Sequence, residues 1–456
     1  MAGPSDRTSS PSRARRVALA LVALMPAGCA PASGRAPATT TTPAGSTAPA
    51  PAATAVRALR FGHLVDGTGR VLTDAVVVVT GDRVTAVGTG EAAVPRGAAV
   101  TDLRRYTAIP GLIDVHTHMM YWWDRAAGTE PWSALGRRPS AVTVFLAQEN
   151  ARRTLESGVT TVRDLGAFDY GDVALRELIT RGAIVGPRMF VSGYGLQRAR
   201  GTPRPDAPPG VPRGLVSDTA EIARAVQAQV DAGVDQIKMY GSTGSASDTS
   251  GRPTFSLEEM KAAVDAAHRL GRRIAIHSYG PEGGRDAVLA GAESVEHAVD
   301  LDDATLAEMA RRGTVYVPTI DHNRYYAEHR SEYGYTAAQA AALDAYRARN
   351  LETARRAFRA GVKLAMGSDA VFTMFGQNTR ELGWFVQIGM TPAQALATAT
   401  TTAAALLGQE RVSGAVAPGY YADIVAVEGD PLADIGVVLR GVRWVMKGGA
   451  VVVDRR

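Results

Sequence analysis

Short apolar runs alternate with amphipathic stretches along most of the chain. Apolar runs of strand length occur at 113–116, 160–164, 188–193, 236–240, 273–277, 294–297, 314–319 and 363–367. Stretches with helical periodicity fill most of the intervals, for example 142–157, 219–232, 256–270 and 303–312. Alternation of strand and helix predicts a parallel sheet, and eight such units predict an α/β fold closed into a (β/α)8 TIM barrel.

The flanks of this region have a different pattern, in which short strands follow one another without helices. These strands are expected at 58–62, 75–80, 83–88 and 99–102 before the barrel, and at 424–428, 442–447 and 450–453 after it. We expect the early and late strands to pair in one small β-sandwich domain built from both termini. The predicted parts are 57–107 and 409–456 for the β-sandwich and 108–408 for the barrel.

The N-terminus is typical of a targeting segment. Arg13, Arg15 and Arg16 precede a short apolar run at 17–25, which is too short to span a bilayer as a permanent helix. The following Pro-Ala-Gly-Cys resembles a bacterial lipobox ending at Cys29, the candidate lipidation site, and the alternative is a signal peptide cut elsewhere with Cys29 incidental. We expect 1–28 to be a signal peptide and 29–56, rich in Ala, Pro and Thr, a disordered tether. The chain is then exported, as a cell-surface lipoprotein or a secreted or periplasmic protein.

Composition and charge indicate what kind of protein this is and which binding partners it is expected to lack. The chain of 456 residues is 46% hydrophobic and 21% charged, which suits a large globular enzyme with a second small domain. The formal net charge is +5, and much of the excess lies in the predicted signal peptide, so no nucleic-acid partner is expected. A single cysteine excludes a disulfide within one chain. Membrane contact is expected only through the lipid anchor, and a homo-oligomer is compatible with the sequence.

Metal-binding side chains fall where the predicted barrel strands end. Active sites of such barrels form at the carboxyl ends of the strands. His116 and His118 are two positions apart, so both imidazoles can face the same side of an extended strand. The later strands add one candidate each, so that the set is His116, His118, Lys238, His277, His297 and Asp369.

This set, with the phrase PGLIDVHTH at 110–118 and GYYADIV at 419–425, resembles the amidohydrolase superfamily. It is most similar to the two-metal members that include imidazolonepropionase-like exported prolidases and Xaa-Pro dipeptidases. The resemblance implies that His116 and His118 bind a more buried divalent metal and that His277 and His297 bind a more exposed one. It also implies that Lys238, carboxylated by carbon dioxide to a carbamate, bridges both metals. Asp369 would bind the buried metal and transfer protons as the catalytic residue.

The implied reaction is attack of a metal-bridging hydroxide on a carbonyl carbon. Zinc fits imidazole and oxygen ligands best, and manganese, iron and cobalt are chemically compatible. We expect cleavage of an amide bond, in dipeptides or N-acyl amino acids. The alternatives are a hydrolase of lactones, cyclic amides or aryl esters on the same site and, more remotely, an inactive surface binding protein. Lys238 counts against a one-metal deaminase, which needs no bridging carbamate.

Four residues are candidates for binding the small-molecule or dipeptide substrate. Tyr279 is two positions after His277 and can face the same side, although a tyrosine here can also pack its hydroxyl under a loop. Tyr240 stands in the same relation to Lys238. His322 follows the seventh strand, and Arg198 lies in the Pro/Gly-rich segment after the third, where it could grip a carboxylate.

Overall fold

The computed structural model describes residues 55–135, 138–198, 214–245 and 247–456. The predicted signal peptide, the lipidation site Cys29 and nearly all of the predicted tether lie outside the described residues and stay predictions. In the described ranges, no helix is both long and apolar enough to cross a membrane.

The elements follow the predicted alternation. The strands are β1 (Val56–Val65), β2 (Val71–Thr80), β3 (Arg83–Thr89), β4 (Ala99–Pro110), β5 (Leu112–Thr117), β6 (Val159–Asp164), β7 (Arg188–Val191), β8 (Gln197–Arg198), β9 (Leu215–Val216), β10 (Gln236–Tyr240), β11 (Arg273–Ser278), β12 (Ser294–His297), β13 (Val315–Val317), β14 (Ile424–Val427), β15 (Val442–Lys447) and β16 (Ala450–Asp454). The helices are α1 (Pro131–Ala134), α2 (Ser140–Glu156), α3 (Gly171–Thr180), α4 (Thr219–Asp231), α5 (Leu257–Arg269), α6 (Pro281–Ala290), α7 (Asp303–Arg312), α8 (Ile320–Glu328), α9 (Ala337–Arg359), α10 (Glu381–Gln387), α11 (Pro392–Thr398), α12 (Thr401–Leu406) and α13 (Gly436–Arg440).

Parallel strands form the wall of the barrel. Strands β5, β6 and β7 pair in that order, as do β10, β11, β12 and β13. A parallel bridge between Leu196 and Met239 joins the two groups. The third strand of the barrel wall is therefore completed by residues that follow β7. The predicted α/β barrel is therefore confirmed, and its strands are almost wholly buried on both faces, as parallel strands covered by helices require.

The eighth barrel position differs from the prediction. Residues 363–367 were expected to form a regular strand, but the segment makes only isolated bridges, Leu364 to Tyr316 on one side and Ala370 to Thr117 on the other. Gly367 explains part of the irregularity, since a Cβ there would lie 2.4 Å from Val317 Cγ1 and 2.8 Å from the Cβ of His116. The segment therefore closes the barrel by close approach of backbone and not by a continuous ladder.

Asp114 fastens this eighth segment to the first strand. Its Oδ1 accepts the backbone N–H of Ser368 at 2.9 Å and that of His116 at 3.1 Å. Its Oδ2 accepts the Ser368 hydroxyl at 2.5 Å and the Asn378 amide at 2.9 Å. Burial raises the pKa of Asp114 to about 6, although these donors favour the carboxylate. The carboxylate thus joins the two ends of the barrel at the position from which His116 and Asp369 project.

The early and late strands pair with one another, as predicted for the β-sandwich built from both termini, and they form one mixed sheet. Its order is β16-β15-β14-β4-β1-β2-β3, with β14 antiparallel to β4 and β1 parallel to β4. Its apolar face buries Leu59, Phe61 and Trp444 among other side chains. Strand β4 runs across the predicted boundary between 107 and 108, so the sheet and the barrel share a continuous backbone at that point.

Helix α8 begins at the barrel mouth without a side-chain cap of its own. Thr319, the residue before it, has a left-handed φ of 51° and makes no capping hydrogen bond. Glu381, the first residue of α10, caps the helix instead. Its carboxylate accepts the N–H of Ile320 at 2.8 Å and that of Asp321 at 2.9 Å. Because Glu381 is fully buried, these two donors have their hydrogen bonds satisfied away from water.

We predict that Glu381→Ala lowers the free energy of unfolding by about 2–4 kcal/mol, because it leaves two buried N–H donors without an acceptor. Urea denaturation of the purified protein measures the change. The matched control is Glu328→Ala at the other end of α8, where the carboxylate is 56% exposed and a loss within about 1 kcal/mol is expected. Equal losses in the two variants would contradict the capping role of Glu381.

Candidate metal centre

All six predicted ligand side chains meet at the carboxyl ends of the barrel strands. His116 lies on β5, and His118 directly follows it. Lys238, His277 and His297 lie on β10, β11 and β12. Asp369 follows the eighth segment, with its N–H bonded to the carbonyl of His116 at 2.7 Å. Each of the six is buried, with 8% or less of its surface exposed. Barrel closure therefore brings together residues from the whole predicted barrel.

The Asp369 carboxylate is the centre of the group. Its Oδ1 lies 3.2 Å from Nε2 of His118 and 3.5 Å from Nε2 of His116. One donor atom each from His116, His297 and Asp369 lies within 4.8 Å of the other two. The ring centroids of His277 and His297 are 4.6 Å apart. This spacing lets neighbouring ligands share one or two metal ions.

Hydrogen bonds fix which nitrogen of each ring faces the centre. His116 donates its Nδ1–H to Glu296 Oε2 at 2.7 Å, and His118 donates its Nδ1–H to the Gly166 carbonyl at 3.2 Å. A carboxylate and a carbonyl only accept, so the proton must lie on Nδ1 in both rings, and Nε2 keeps a lone pair. His297 Nδ1 is bonded to the Thr319 hydroxyl at 2.7 Å. Such partners orient metal-binding imidazoles.

Below the histidines, a buried charge network crosses the barrel interior. Glu296 Oε1 accepts from Arg163 Nη2 at 2.8 Å and from the Ser294 hydroxyl at 2.5 Å. Arg163 also donates to Ser294 Oγ at 2.9 Å and to the carbonyl of Val115 at 2.5 Å. Glu296 and Arg163 are almost completely excluded from solvent, so each charge depends on the other for compensation.

The surroundings favour uncharged nitrogen donors and a charged oxygen donor. Burial, and next to it the charge of Lys238, lowers the pKa of both His116 and His277 well below the ordinary value. Burial, and next to it the neighbouring His277, lowers the pKa of His297 well below the ordinary value. Burial opposes ionisation of Asp369, but His322 and His116 outweigh it and hold the pKa of that carboxyl well below its usual range. Burial also lowers the pKa of Lys238 to about 8.

Three residues of the centre have a left-handed backbone although none is glycine. The φ angles are 74° at His297, 51° at Thr319 and 52° at Asp369. Such a conformation costs about 1–3 kcal/mol per residue and persists where the surroundings enforce it. At His297 the left-handed backbone breaks the alternation of side chains along β12. Glu296 and His297 are adjacent in sequence, and both side chains contact the ring of His116.

The donor set fits divalent metal ions. His277 Nε2 is buried and has no hydrogen-bond partner among the described residues. A buried ring nitrogen without a partner is costly, and a metal ion would satisfy it. Uncharged imidazoles with one carboxylate are the ligands that zinc prefers, and manganese, iron and cobalt accept them too.

Both predicted tyrosines lie beside the ring of His277. Tyr240 has its ring centroid 5.3 Å from His277, and Lys238 Nζ lies 5.2 Å from the Tyr240 ring. Tyr279 is stacked on His277 at 5.2 Å and on Tyr346 at 4.5 Å, and it is almost fully buried. The structure therefore brings both tyrosines to the centre, and their contact with substrate stays a prediction.

His322 and Arg198 lie in different surroundings. His322 is buried against the centre, with Nε2 3.1 Å from Asp369 Oδ2 and Nδ1 2.8 Å from the Asp369 carbonyl. Arg198 donates Nε to the Thr254 carbonyl at 3.0 Å, Nη1 to the Ser217 carbonyl at 2.8 Å and Nη2 to Glu259. His322 Nδ1–H thus donates to the backbone carbonyl of Asp369, whereas the guanidinium of Arg198 is bonded to protein oxygens, and substrate binding by either stays a prediction.

Aromatic side chains from the loops surround the mouth of the centre. Tyr121 is stacked on the His118 ring at 4.7 Å and lies 5.7 Å from Phe372 and 6.1 Å from Phe168. Tyr326, on α8, meets the His322 ring edge-on at 4.6 Å. These side chains come from segments outside the barrel strands, so the rim and the ligands belong to different parts of the fold.

Sequence reasoning missed the residues that orient the ligands. Glu296, Arg163 and Thr319 were not assigned a role. The signal for Arg163 was present, because a charged residue inside an apolar strand is rarely buried without a partner. Glu296 adjoins a predicted ligand, but strand alternation places it on the opposite face, and only the left-handed φ of His297 brings the two together.

Known proteins share this architecture. The model of the amidohydrolase family matches residues 107–452. The ochratoxinase of Aspergillus niger is 30% identical over 416 residues, which cover 85% of each chain. The imidazolonepropionase of Deinococcus deserti is 25% identical and covers 85% of this chain and 92% of its own. The structure of a Xaa-Pro dipeptidase with methionine bound in its active site is 30% identical, with a TM-score of 0.79, and covers 87% of this chain and 99% of its own.

Proposed function

We propose that this chain, which belongs to the amidohydrolase family, is a two-metal hydrolase that cleaves an amide bond in dipeptides or N-acyl amino acids. Family membership and the relatives make it a hydrolase acting on carbon–nitrogen bonds. The observation that carries the proposal is the position of Asp369, whose carboxylate lies within 3.5 Å of Nε2 of three histidines. The two metal ions would be held by His116, His118, Lys238, His277, His297 and Asp369.

When bound, the metals supply a Lewis acid for the substrate carbonyl and lower the pKa of water at the centre. Asp369 is the residue of the protein that transfers the proton. One oxygen of its carboxylate accepts the proton from the attacking water and delivers it to the leaving nitrogen. His322 holds Asp369 in place through the hydrogen bond from its Nδ1–H to the Asp369 backbone carbonyl at 2.8 Å.

Lys238 must be modified to serve as a ligand, because an ammonium group has no lone pair. The uncharged amine adds to carbon dioxide, a nitrogen–carbon bond forms and one proton is lost, which leaves a carbamate with two oxygens. Lys238 is almost fully buried among the predicted ligands, and its lowered pKa leaves more uncharged amine at neutral pH than a lysine in water has. Both features support carboxylation at this position.

The substrate class rests on the relatives and on the rim of the centre. The Xaa-Pro dipeptidase structure is similar over nearly its whole length, so the dipeptide is the substrate we expect first. Tyr279 and Tyr240 flank His277 and are the hydroxyl groups that we propose for holding the substrate carbonyl or carboxylate. A lactone, cyclic amide or aryl ester would use the same chemistry.

Metal analysis coupled to a substrate screen tests this function. The protein is purified with bicarbonate and zinc or manganese, its metals per chain are counted, and dipeptides and N-acyl amino acids are assayed beside lactones and aryl esters. Bound metal with dipeptide or N-acyl turnover supports the proposal. Turnover of esters or lactones alone overturns the substrate class, and absence of both metal and turnover overturns the two-metal hydrolase.

We predict that Asp369→Asn lowers kcat by about 10²–10⁴-fold, because the amide cannot accept the proton. Metal content should stay unchanged, since the amide oxygen still offers a lone pair. The matched control is Asp303→Asn, a 93% exposed carboxylate at the start of α7, which should retain wild-type turnover. Rates near wild type in Asp369→Asn would refute the proton-transfer role.

We predict that Lys238→Ala loses bound metal and turnover, and that a short carboxylic acid such as acetate or propionate restores part of both by replacing the carbamate oxygens. Carbon-13 NMR after growth in labelled bicarbonate should detect one carbamate in the wild type and none in this variant. Lys261→Ala, at an exposed position on α5, is the control and should keep the carbamate signal. Full metal content in Lys238→Ala would exclude the bridge.

We also propose that the protein is exported and anchored through a lipid on Cys29. Cys29→Ala should then move the protein from the membrane fraction to the soluble fraction of the cell. Immunoblots of the two fractions measure this shift. Wild-type protein found entirely in the soluble fraction would argue against the anchor and leave the catalytic proposal untouched.

A further inference from the structure

The four histidines of the centre differ in the group that holds their second nitrogen. His116 donates to a carboxylate, that of Glu296, at 2.7 Å. His118 donates to a neutral carbonyl at 3.2 Å, and His297 is bonded to the neutral hydroxyl of Thr319 at 2.7 Å. For His277, no ion pair with a carboxylate occurs within the described ranges of the chain. Among the described residues, His116 is therefore the one histidine of the four whose Nδ1 faces a carboxylate.

The Glu296 carboxylate is built into the barrel interior as a fixed acceptor. Arg163 Nη2, the Ser294 hydroxyl and His116 Nδ1 all donate to it, at 2.8, 2.5 and 2.7 Å. Neither Glu296 nor Arg163 is open to solvent. Loss of the charge on Glu296 would leave a buried guanidinium uncompensated, which is strongly unfavourable. The three donors therefore hold the Glu296 carboxylate in a fixed position behind His116.

An anionic acceptor makes the opposite nitrogen of an imidazole a stronger electron donor to a metal. Partners of this kind contribute about 10–100-fold to metal affinity. We propose, on the basis of the two-metal centre proposed above, that Glu296 makes the two metal positions unequal. The position of His116, His118 and Asp369 fills first and holds its divalent ion more tightly. The position of His277 and His297 is the one that exchanges. Glu296 and Arg163 act as positioning residues, through His116.

Stepwise titration of the metal-free protein tests this inequality. Zinc is added in competition with a chromophoric chelator, and the two dissociation constants are fitted separately. We expect two steps in the wild type. In Glu296→Gln the tighter step should weaken by about 10–100-fold, so that the two steps approach each other. Thermal unfolding with one and with two equivalents of zinc gives a second readout that does not depend on turnover.

A double variant protects the test against misfolding. In Glu296→Gln with Arg163→Met, the ion pair is replaced by uncharged groups, and His116 donates to an amide oxygen as His118 does to a carbonyl. The same convergence of the two steps is expected. Thr319→Val is the matched control at the other position, since it removes the partner of His297 and keeps the β-branched shape. It should weaken the looser step and widen the gap.

The outcomes separate this inference from the catalytic proposal. Two zinc ions bound with equal affinity by the wild type would overturn the inequality and leave the two-metal hydrolase standing. Equal effects of Thr319→Val and Glu296→Gln on the same step would also overturn it. A wild-type chain that binds no zinc would overturn both.

Discussion

Two hydrogen bonds from Ser368 to the carboxylate of Asp114 join the first strand of the barrel to its irregular last segment, and the geometry of the candidate metal centre depends on that junction. His116 lies on one side of it and Asp369 on the other, and the N–H of Asp369 is bonded directly to the carbonyl of His116. A regular strand would have fixed the two sides by a ladder of backbone hydrogen bonds. Here three backbone hydrogen bonds make part of that connection: Val115 N–H to the Met366 carbonyl, Asp369 N–H to the His116 carbonyl and His118 N–H to the Ala370 carbonyl. The buried carboxylate of Asp114 adds to it, and its donors offset the cost of keeping it from water.

The centre also depends on backbone conformations that no local preference favours. His297, Thr319 and Asp369 are all left-handed, and each carries a side chain that the centre uses. Near two of these residues, buried carboxylates fix the backbone: Glu381 holds the start of α8 after Thr319, and Asp114 holds Ser368 before Asp369. Strain of this kind is typical of sites where side-chain direction matters more than local stability.

The sequence was sufficient to predict the fold class and to name side chains that the structure gathers at the barrel mouth, because both signals are local. Their role as metal ligands stays a proposal. Strand and helix alternation is a local pattern, and α7 and β10 were predicted with the bounds that the structure has. The ligands stand at the ends of those strands, so they follow once the barrel is recognised. Glu296 and Arg163 could not be found in this way, because their partnership joins β6 to β12 across the barrel interior. The irregular eighth segment was missed for a similar reason, since its course is set by the close approach of Gly367 to Val317.

The candidate ligands, and Arg163 and Glu296 behind them, lie on or directly after barrel strands, whereas the aromatic rim of Tyr121, Phe168 and Phe372 comes from the connecting segments. This separation bears on how such an enzyme changes over evolutionary time. A substitution in the rim alters the space above the candidate metal centre and leaves the hydrogen bonds of Arg163 and Glu296 intact. Loop residues can therefore change with the substrate while the strand-borne residues stay in place, and relatives as different in name as an ochratoxinase and a dipeptidase can share one fold.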